Sequence, residues 1–218
     1  MRIHPNSTLL FQGDSITDVR RDRTITTPNH TYGMGGGYCK HIAAKLLRER
    51  PQDQLMIYNR GVSGDRITDL VARWEKDALH LKPDIISILI GVNDTWFRFS
   101  GGIGADPDDY EKMYRTLLQR TKERLPKVQF VLCEPFVLQC GDVKETWLPE
   151  ITARQQIVQQ LATDFEAYFV PFQAALNEQL TQAPPAYWAD DGVHPTVAGH
   201  SILAACWYQT VLERSWSE

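Results

Sequence analysis

The chain has 218 residues, 43% of them hydrophobic and 23% charged, with a formal net charge of −4. That suits one full hydrophobic core, so a single domain spanning residues 1–218 is expected. The acidic balance argues against a nucleic-acid partner, and no apolar run approaches the roughly 18 residues of a membrane span.

In chain order, the opening MRIHPNST has no apolar stretch of the secretory kind, so a cytoplasmic protein is expected. Short apolar runs then alternate with amphipathic stretches. The runs are Thr8–Phe11, Leu55–Tyr58, Ile85–Ile90, Val128–Cys133 and Tyr168–Val170. Three of them lack two-residue alternation, as strands buried on both faces do. Between them, Ile42 and Leu46 mark one helix, and Ile67, Leu70, Val71 and Trp74 form a helical stripe. Tyr110, Met113, Tyr114, Leu117 and Leu118 form another, opened by Asp106-Pro107-Asp108. Ile157, Val158, Leu161 and Phe165 mark a further helix, and Val197–Leu212 a last one, with Pro195-Thr196 at its start. Strands joined by helical crossovers imply a three-layer αβα fold with a five-stranded parallel sheet. Among doubly wound sheets, the flavodoxin-like order 2-1-3-4-5 is expected.

Ligands bind beyond the C-terminal strand ends of such sheets, near the point where the strand order reverses. The unusual stretches fall there. Gly13-Asp14-Ser15 follows the first run, and Asn59–Asp65 (NRGVSGD) the second. Gly91-Val92-Asn93-Asp94 follows the third, and Asp190–Pro195 (DDGVHP) precedes the last helix.

A serine nucleophile needs a base, a group to orient that base, and donors aimed at the developing oxyanion. Ser15 is the candidate nucleophile and His194 the base. Asp191, three residues before His194, can reach Nδ1 within one turn of chain. Asp190 competes, but its four-residue spacing suits a tight turn less. The Ser15 N–H, free at a first helical turn, the Gly64 N–H and the Asn93 side-chain amide are the oxyanion candidates. Such donors contribute about 3 kcal/mol each. Asp14 reads as a structural acid accepting nearby backbone N–H groups, and Gly13 as the sharp exit from the first strand.

Rival chemistries have less behind them. A metal-dependent phosphohydrolase built on Asp14, Asp18 and Asp94 would lack a histidine pair and any dense ligand motif, so no metal is expected. A P-loop and a G-x-S-x-G elbow are both missing. A sugar-binding module without catalysis would have no use for an activated serine. Tyr32–Tyr38 (YGMGGGY) reads as a flexible pocket wall, and the longer stretch from Thr17 to Gly37 as the loop that shapes the pocket. Cys39, Cys133, Cys140 and Cys206 show no zinc or disulfide spacing, and Cys133 and Cys206 read as core residues.

These motifs, FQGDSIT, NRGVSGD, IGVND and DGVHPT, resemble in order and spacing the four blocks of the SGNH, or GDSL-type, hydrolases. The resemblance covers nearly the whole chain and departs only in reading GDSI for GDSL. It implies Ser15, Asp191 and His194 as the catalytic residues, Ser15, Gly64 and Asn93 as the oxyanion hole, and no cofactor. Within the family the chain is most similar to bacterial intracellular acetylxylan esterases and related carbohydrate O-acetylesterases, through LLFQGDSITD, GVSGDRITDLVARWEKD, KPDIISILIGVNDTW and VHPTVAGH. That implies an acetylated sugar or other short-chain ester as substrate and a homo-oligomer as assembly, with Trp96 a candidate substrate contact. The alternative is a general short-chain carboxylesterase, lysophospholipase or thioesterase, because acyl choice depends on pocket shape. Trp207, Tyr208 and Trp216 in the tail are expected to pack either on a partner or on their own domain.

Overall fold

A computed structural model of the protein describes residues 1–212. Five strands, β1 (Thr8–Gly13), β2 (Met56–Asn59), β3 (Ile85–Leu89), β4 (Gln129–Cys133) and β5 (Tyr168–Val170), form one sheet. Its order is β2-β1-β3-β4-β5 and every pairing is parallel. The expected architecture is therefore the observed one. The bounds differ at four strands: β1 runs on to Gly13, β2 sits one residue later, β3 stops at Leu89 and β4 begins at Gln129. Hydrogen bonding to neighbours, not hydrophobicity, sets those ends. Gln12 and Gly13 still pair with Ile88 and Leu89, although neither is apolar in the usual sense.

The helices flank both faces. They are α1 (Ser15–Asp18), α2 (Tyr38–Glu49), α3 (Ile67–Asp77), α4 (Val92–Phe99), α5 (Pro107–Arg124), α6 (Leu148–Asp164), α7 (Phe172–Gln179), α8 (Pro185–Trp188) and α9 (Val197–Val211). Alternate residues of one strand reach opposite sides of a sheet. Leu9 and Phe11 accordingly join a core with α2, α7 and α9, while Leu10 joins a second core with α3, α5 and α6. This double burial explains the unalternating sequence of β1 and β3. The helix starts follow ordinary capping: Asp106 accepts from the Asp109 N–H at 2.9 Å ahead of Pro107, and Thr196 from the Gly199 N–H at 3.2 Å. Helices α4, α7 and α8 are additional to the expected ones. Each has eight residues or fewer, too few turns to set up a clear stripe.

The structure revises one expectation about packing and decides another. The Tyr32–Tyr38 stretch is not a loose wall. Met34 and Tyr38 are buried, the Asn59 amide donates to the Met34 carbonyl at 2.9 Å, and the Tyr38 hydroxyl meets Thr17 Oγ1 at 3.1 Å. In the tail, Trp207 packs on its own domain: it is fully buried and its indole N–H donates to Ser87 Oγ at 3.0 Å. Tyr208 lies against the Lys45 ammonium, and Trp216 lies outside the described residues. Cys39, Cys133 and Cys206 are buried, and none of the four thiols is in a disulfide.

Candidate active site

The sheet delivers three strand ends to one edge, and the turn between α8 and α9 joins them there. The exit from β1 needs Gly13, because a Cβ there would stand 2.3 Å from the Leu89 carbonyl oxygen on the neighbouring strand. The chain turns at once into α1, capped by Asp14, whose Oδ1 accepts from the Ile16 N–H at 3.0 Å. Ser15 is thus the first residue of a helical turn, and its Oγ lies 2.7 Å from His194 Nε2.

His194 sits in a turn built by Asp191. One carboxylate oxygen, Oδ1, accepts the N–H groups of Val193 and His194 at 2.9 and 2.7 Å, and Oδ2 lies 2.6 Å from His194 Nδ1. With the Nδ1 hydrogen donated to this carboxylate, Nε2 turns its lone pair to the serine. Burial pushes the Asp191 carboxyl up, but the bonds from the His194 ring and from the two backbone donors hold it below its ordinary value. Asp190 is exposed, and the imidazole bond goes to Asp191. The turn is pinned from behind by the segment after β4: Leu138 N–H donates to the Gly192 carbonyl at 2.8 Å and Asp142 N–H to the Asp191 carbonyl at 2.9 Å. Sequence reasoning passed over this support, for which the Cys140-Gly141-Asp142 turn was the available signal.

The oxyanion candidates follow the ends of three strands, β1, β2 and β3. Gly64 has φ +88°, a backbone geometry that favours glycine, and a Cβ there would meet nothing within 4 Å. Its requirement for glycine is therefore conformational. Asn93, on α4, donates one amide hydrogen to the Asp65 carbonyl at 3.0 Å. Its second amide hydrogen and the N–H groups of Ser15 and Gly64 have no acceptor among the described residues. Trp96, one turn along α4, has its ring centroid 5.9 Å from that of His194 and 5.4 Å from that of Trp147. Trp147 carried no sequence signal.

The three acids weighed as metal ligands are committed to their own chain. Asp18 accepts the N–H groups of Arg21 and Ser63 at 3.1 and 2.9 Å and pairs with Arg23. Burial raises it, but Arg23 and Ser63 together hold it below its ordinary value. Asp94 accepts from the Ile67 and Ala105 N–H groups at 3.1 and 3.3 Å. Asp14 is fully buried, and burial pushes its carboxyl up to about 7. A cavity of about 700 Å³ between α7 and α9 touches none of the candidate site residues, so the Ser15–His194–Asp191 contacts, not a cavity, mark the site.

The sequence profile of the GDSL-like Lipase/Acylhydrolase family matches residues 11–202. An acetylxylan esterase of Geobacillus stearothermophilus is 35% identical over 216 residues, covering 97% of this chain and 96% of that one. Among solved structures, a Parabacteroides merdae protein described as a GDSL-like lipase superposes with a TM-score of 0.93 at 39% identity, over 96% of this chain and 97% of that one. A mutant of the Geobacillus acetyl-xylooligosaccharide esterase gives a TM-score of 0.89 at 35% identity, over 97% of each chain. Structures of the Geobacillus enzyme also include three catalytic mutants, in which a serine, a histidine and an aspartate are replaced by alanine.

Proposed function

The chain belongs to the GDSL-like lipase/acylhydrolase family and is a serine ester hydrolase, and we propose that it removes O-acetyl groups from xylo-oligosaccharides or related sugars, with Ser15, His194 and Asp191 as its triad. The observation that carries this reading is the continuous chain of contacts from Ser15 Oγ through His194 to Asp191, at 2.7 and 2.6 Å. The Geobacillus relative supports the substrate class, and its catalytic mutants concern the same three residue types.

Ser15 Oγ attacks the acetyl carbonyl carbon as its proton passes to His194 Nε2. The Ser15 and Gly64 N–H groups and the Asn93 amide hold the tetrahedral oxyanion. The bond to the sugar oxygen then breaks, and His194 returns the proton to that oxygen. Water attacks the acetyl-serine by the same route and acetate leaves. Trp96, beside His194, bounds the space for the acetyl group or the sugar ring.

The chain is also proposed to act in the cytoplasm, as four thiols without a disulfide suit a reducing compartment. No helix among the described residues is long and apolar enough to cross a membrane. Self-association into a homo-oligomer is proposed as well, with light scattering as its measurement.

The decisive experiment is Ser15→Ala. Hydrolysis of p-nitrophenyl acetate falls by about 10⁴- to 10⁶-fold while the circular dichroism spectrum is unchanged. Near-normal turnover in that variant would sink the triad. Acetylated xylo-oligosaccharides compared with p-nitrophenyl esters of increasing chain length test the substrate; faster cleavage of long acyl chains would replace the sugar reading with a lipase or thioesterase one.

A further inference from the structure

Arg73 lies in the middle of α3 and is not itself one of the loops at the site. Its guanidinium is nevertheless mostly enclosed, with the side chain 16% exposed. It reaches two other chain segments at once, the end of β1 and the loop after β2. Nε donates to Asp65 Oδ2 at 2.5 Å, and Nη1 to the Arg60 carbonyl at 2.8 Å and to Gln12 Oε1 at 2.7 Å. Nη2 donates to the Gly13 carbonyl at 3.1 Å. Asp77, one helical turn along α3, is a more distant partner at 3.4 Å.

These partners stand next to the proposed oxyanion donors. Gly13 is two residues before Ser15, and Asp65 directly follows Gly64. The carbonyl of Asp65 also accepts the Asn93 amide. One planar side chain therefore touches the end of β1, both ends of the loop after β2, and, through Asp65, the side chain of Asn93. Other bonds between these segments are Val62 N–H to the Gly13 carbonyl at 2.9 Å, Arg60 N–H to the Phe11 carbonyl at 2.8 Å, Ser63 N–H to Asp18 Oδ2 at 2.9 Å and Arg21 Nε to the Gly61 carbonyl at 2.7 Å; none of these reaches Asp65 or Asn93. The only residue type with a rigid fork of five donors is arginine; a lysine ammonium places its three donors at one point and cannot span Asp65, Arg60 and Gly13 together.

We propose that Arg73 is a positioning residue for catalysis, which fixes the Ser15 N–H, the Gly64 N–H and the Asn93 amide relative to one another as an oxyanion pocket. This rests on the triad reading above. The physical expectation is specific. Preorganised donors act on the charge that develops in the transition state, so a small displacement lowers kcat and leaves ground-state binding almost intact. The Ser15–His194–Asp191 contacts do not involve Arg73, so the pH dependence of turnover stays where it is.

The test uses Arg73→Gln and Arg73→Lys in the full chain, with p-nitrophenyl acetate as substrate and a fluorophosphonate probe to count active sites. Per labelled site, Arg73→Gln lowers kcat roughly 30- to 100-fold, with KM within about threefold and the pH profile unmoved. Arg73→Lys recovers only part of the loss. A merely structural arginine gives another result: fewer labelled sites, each with wild-type kcat, and that outcome overturns the proposal. If Arg73→Gln does not fold, Arg73→Lys, which keeps the charge and loses the fork, decides the question by the same ratio. Failure of the underlying reading is distinguishable, because the wild-type chain would then go unlabelled at Ser15, and both inferences would fall.

Discussion

The two sides of the site are built in opposite ways. The base side is local: Asp191, Val193 and His194 close one turn through three bonds to a single carboxylate. The proposed oxyanion side is distributed: its candidate donors come from α1, the loop after β2 and α4, and Arg73 and Asp65 bond between these segments. A local turn can position a group with few partners. A distributed pocket needs a scaffold that fixes separate strand ends, and the parallel sheet with its switch point between β1 and β3 supplies one.

The largest effect that would sharpen this contrast is expected on the base side. Asp191→Asn keeps the shape but removes the acceptor for the imidazole Nδ1–H, and kcat for ester hydrolysis falls about 10³- to 10⁴-fold. Asp190→Asn, at an exposed neighbour, changes kcat by less than about twofold. Equal losses in the two variants would mean that the turn does not select Asp191. On the distributed side the cost of any one member is smaller, because the others remain. Asn93→Ala removes one proposed oxyanion donor and the partner of the Asp65 carbonyl, and lowers kcat by about 10²- to 10³-fold with little change in KM. A loss as large as that of Asp191→Asn would break the comparison, for Asn93 would then be indispensable and not one donor of three.

The same contrast governs what the sequence made legible. Asp191 and His194 are three residues apart, so their spacing alone suggests the turn that joins them. The strands and the candidate donors follow from apolar runs and from unusual residues at their ends, whereas the strand order was one choice among doubly wound sheets. What holds those donors does not show. Arg73 stands between Val71 and Trp74 of the helical stripe and reads there as one more charged helix position, although its partners are 8, 13, 60 and 61 residues away. The Tyr32–Tyr38 glycines suggested looseness, because composition does not reveal that Tyr38 is anchored on Thr17 and Met34 on Asn59. Helix α4 was hidden by its length and by the site motif within it.

A small effect on turnover accompanies a change in pH-dependent stability, in which Asp14 and Asp191 act with opposite sign. Asp14, on the oxyanion side, is fully buried, and its Oδ2 has no hydrogen-bond partner. Burial lifts its carboxyl from 3.8 to about 7, against the pull of the Ile16 N–H and His194. Between about pH 4 and 7 the unfolded chain releases this proton while the folded chain keeps it. Stability therefore declines as pH rises through that window, by on the order of 4 kcal/mol for a shift of this size. Asp94, raised to about 6 by burial, acts in the same direction. Asp191 acts oppositely: its folded value is lowered, so its contribution is present above about pH 4 and is lost as pH falls through the folded value. Asp14→Asn keeps the acceptor for Ile16 and removes the titration. Urea midpoints measured from pH 3 to 8 should then lose much of their decline between pH 4 and 7, while kcat compared with the wild type at pH 6, where the wild-type carboxyl is largely protonated, stays within a few-fold. Asp191→Asn should instead flatten only the acid limb, and an unchanged slope between pH 4 and 7 in Asp14→Asn would show that the buried acid beside Ser15 is not held neutral by the fold.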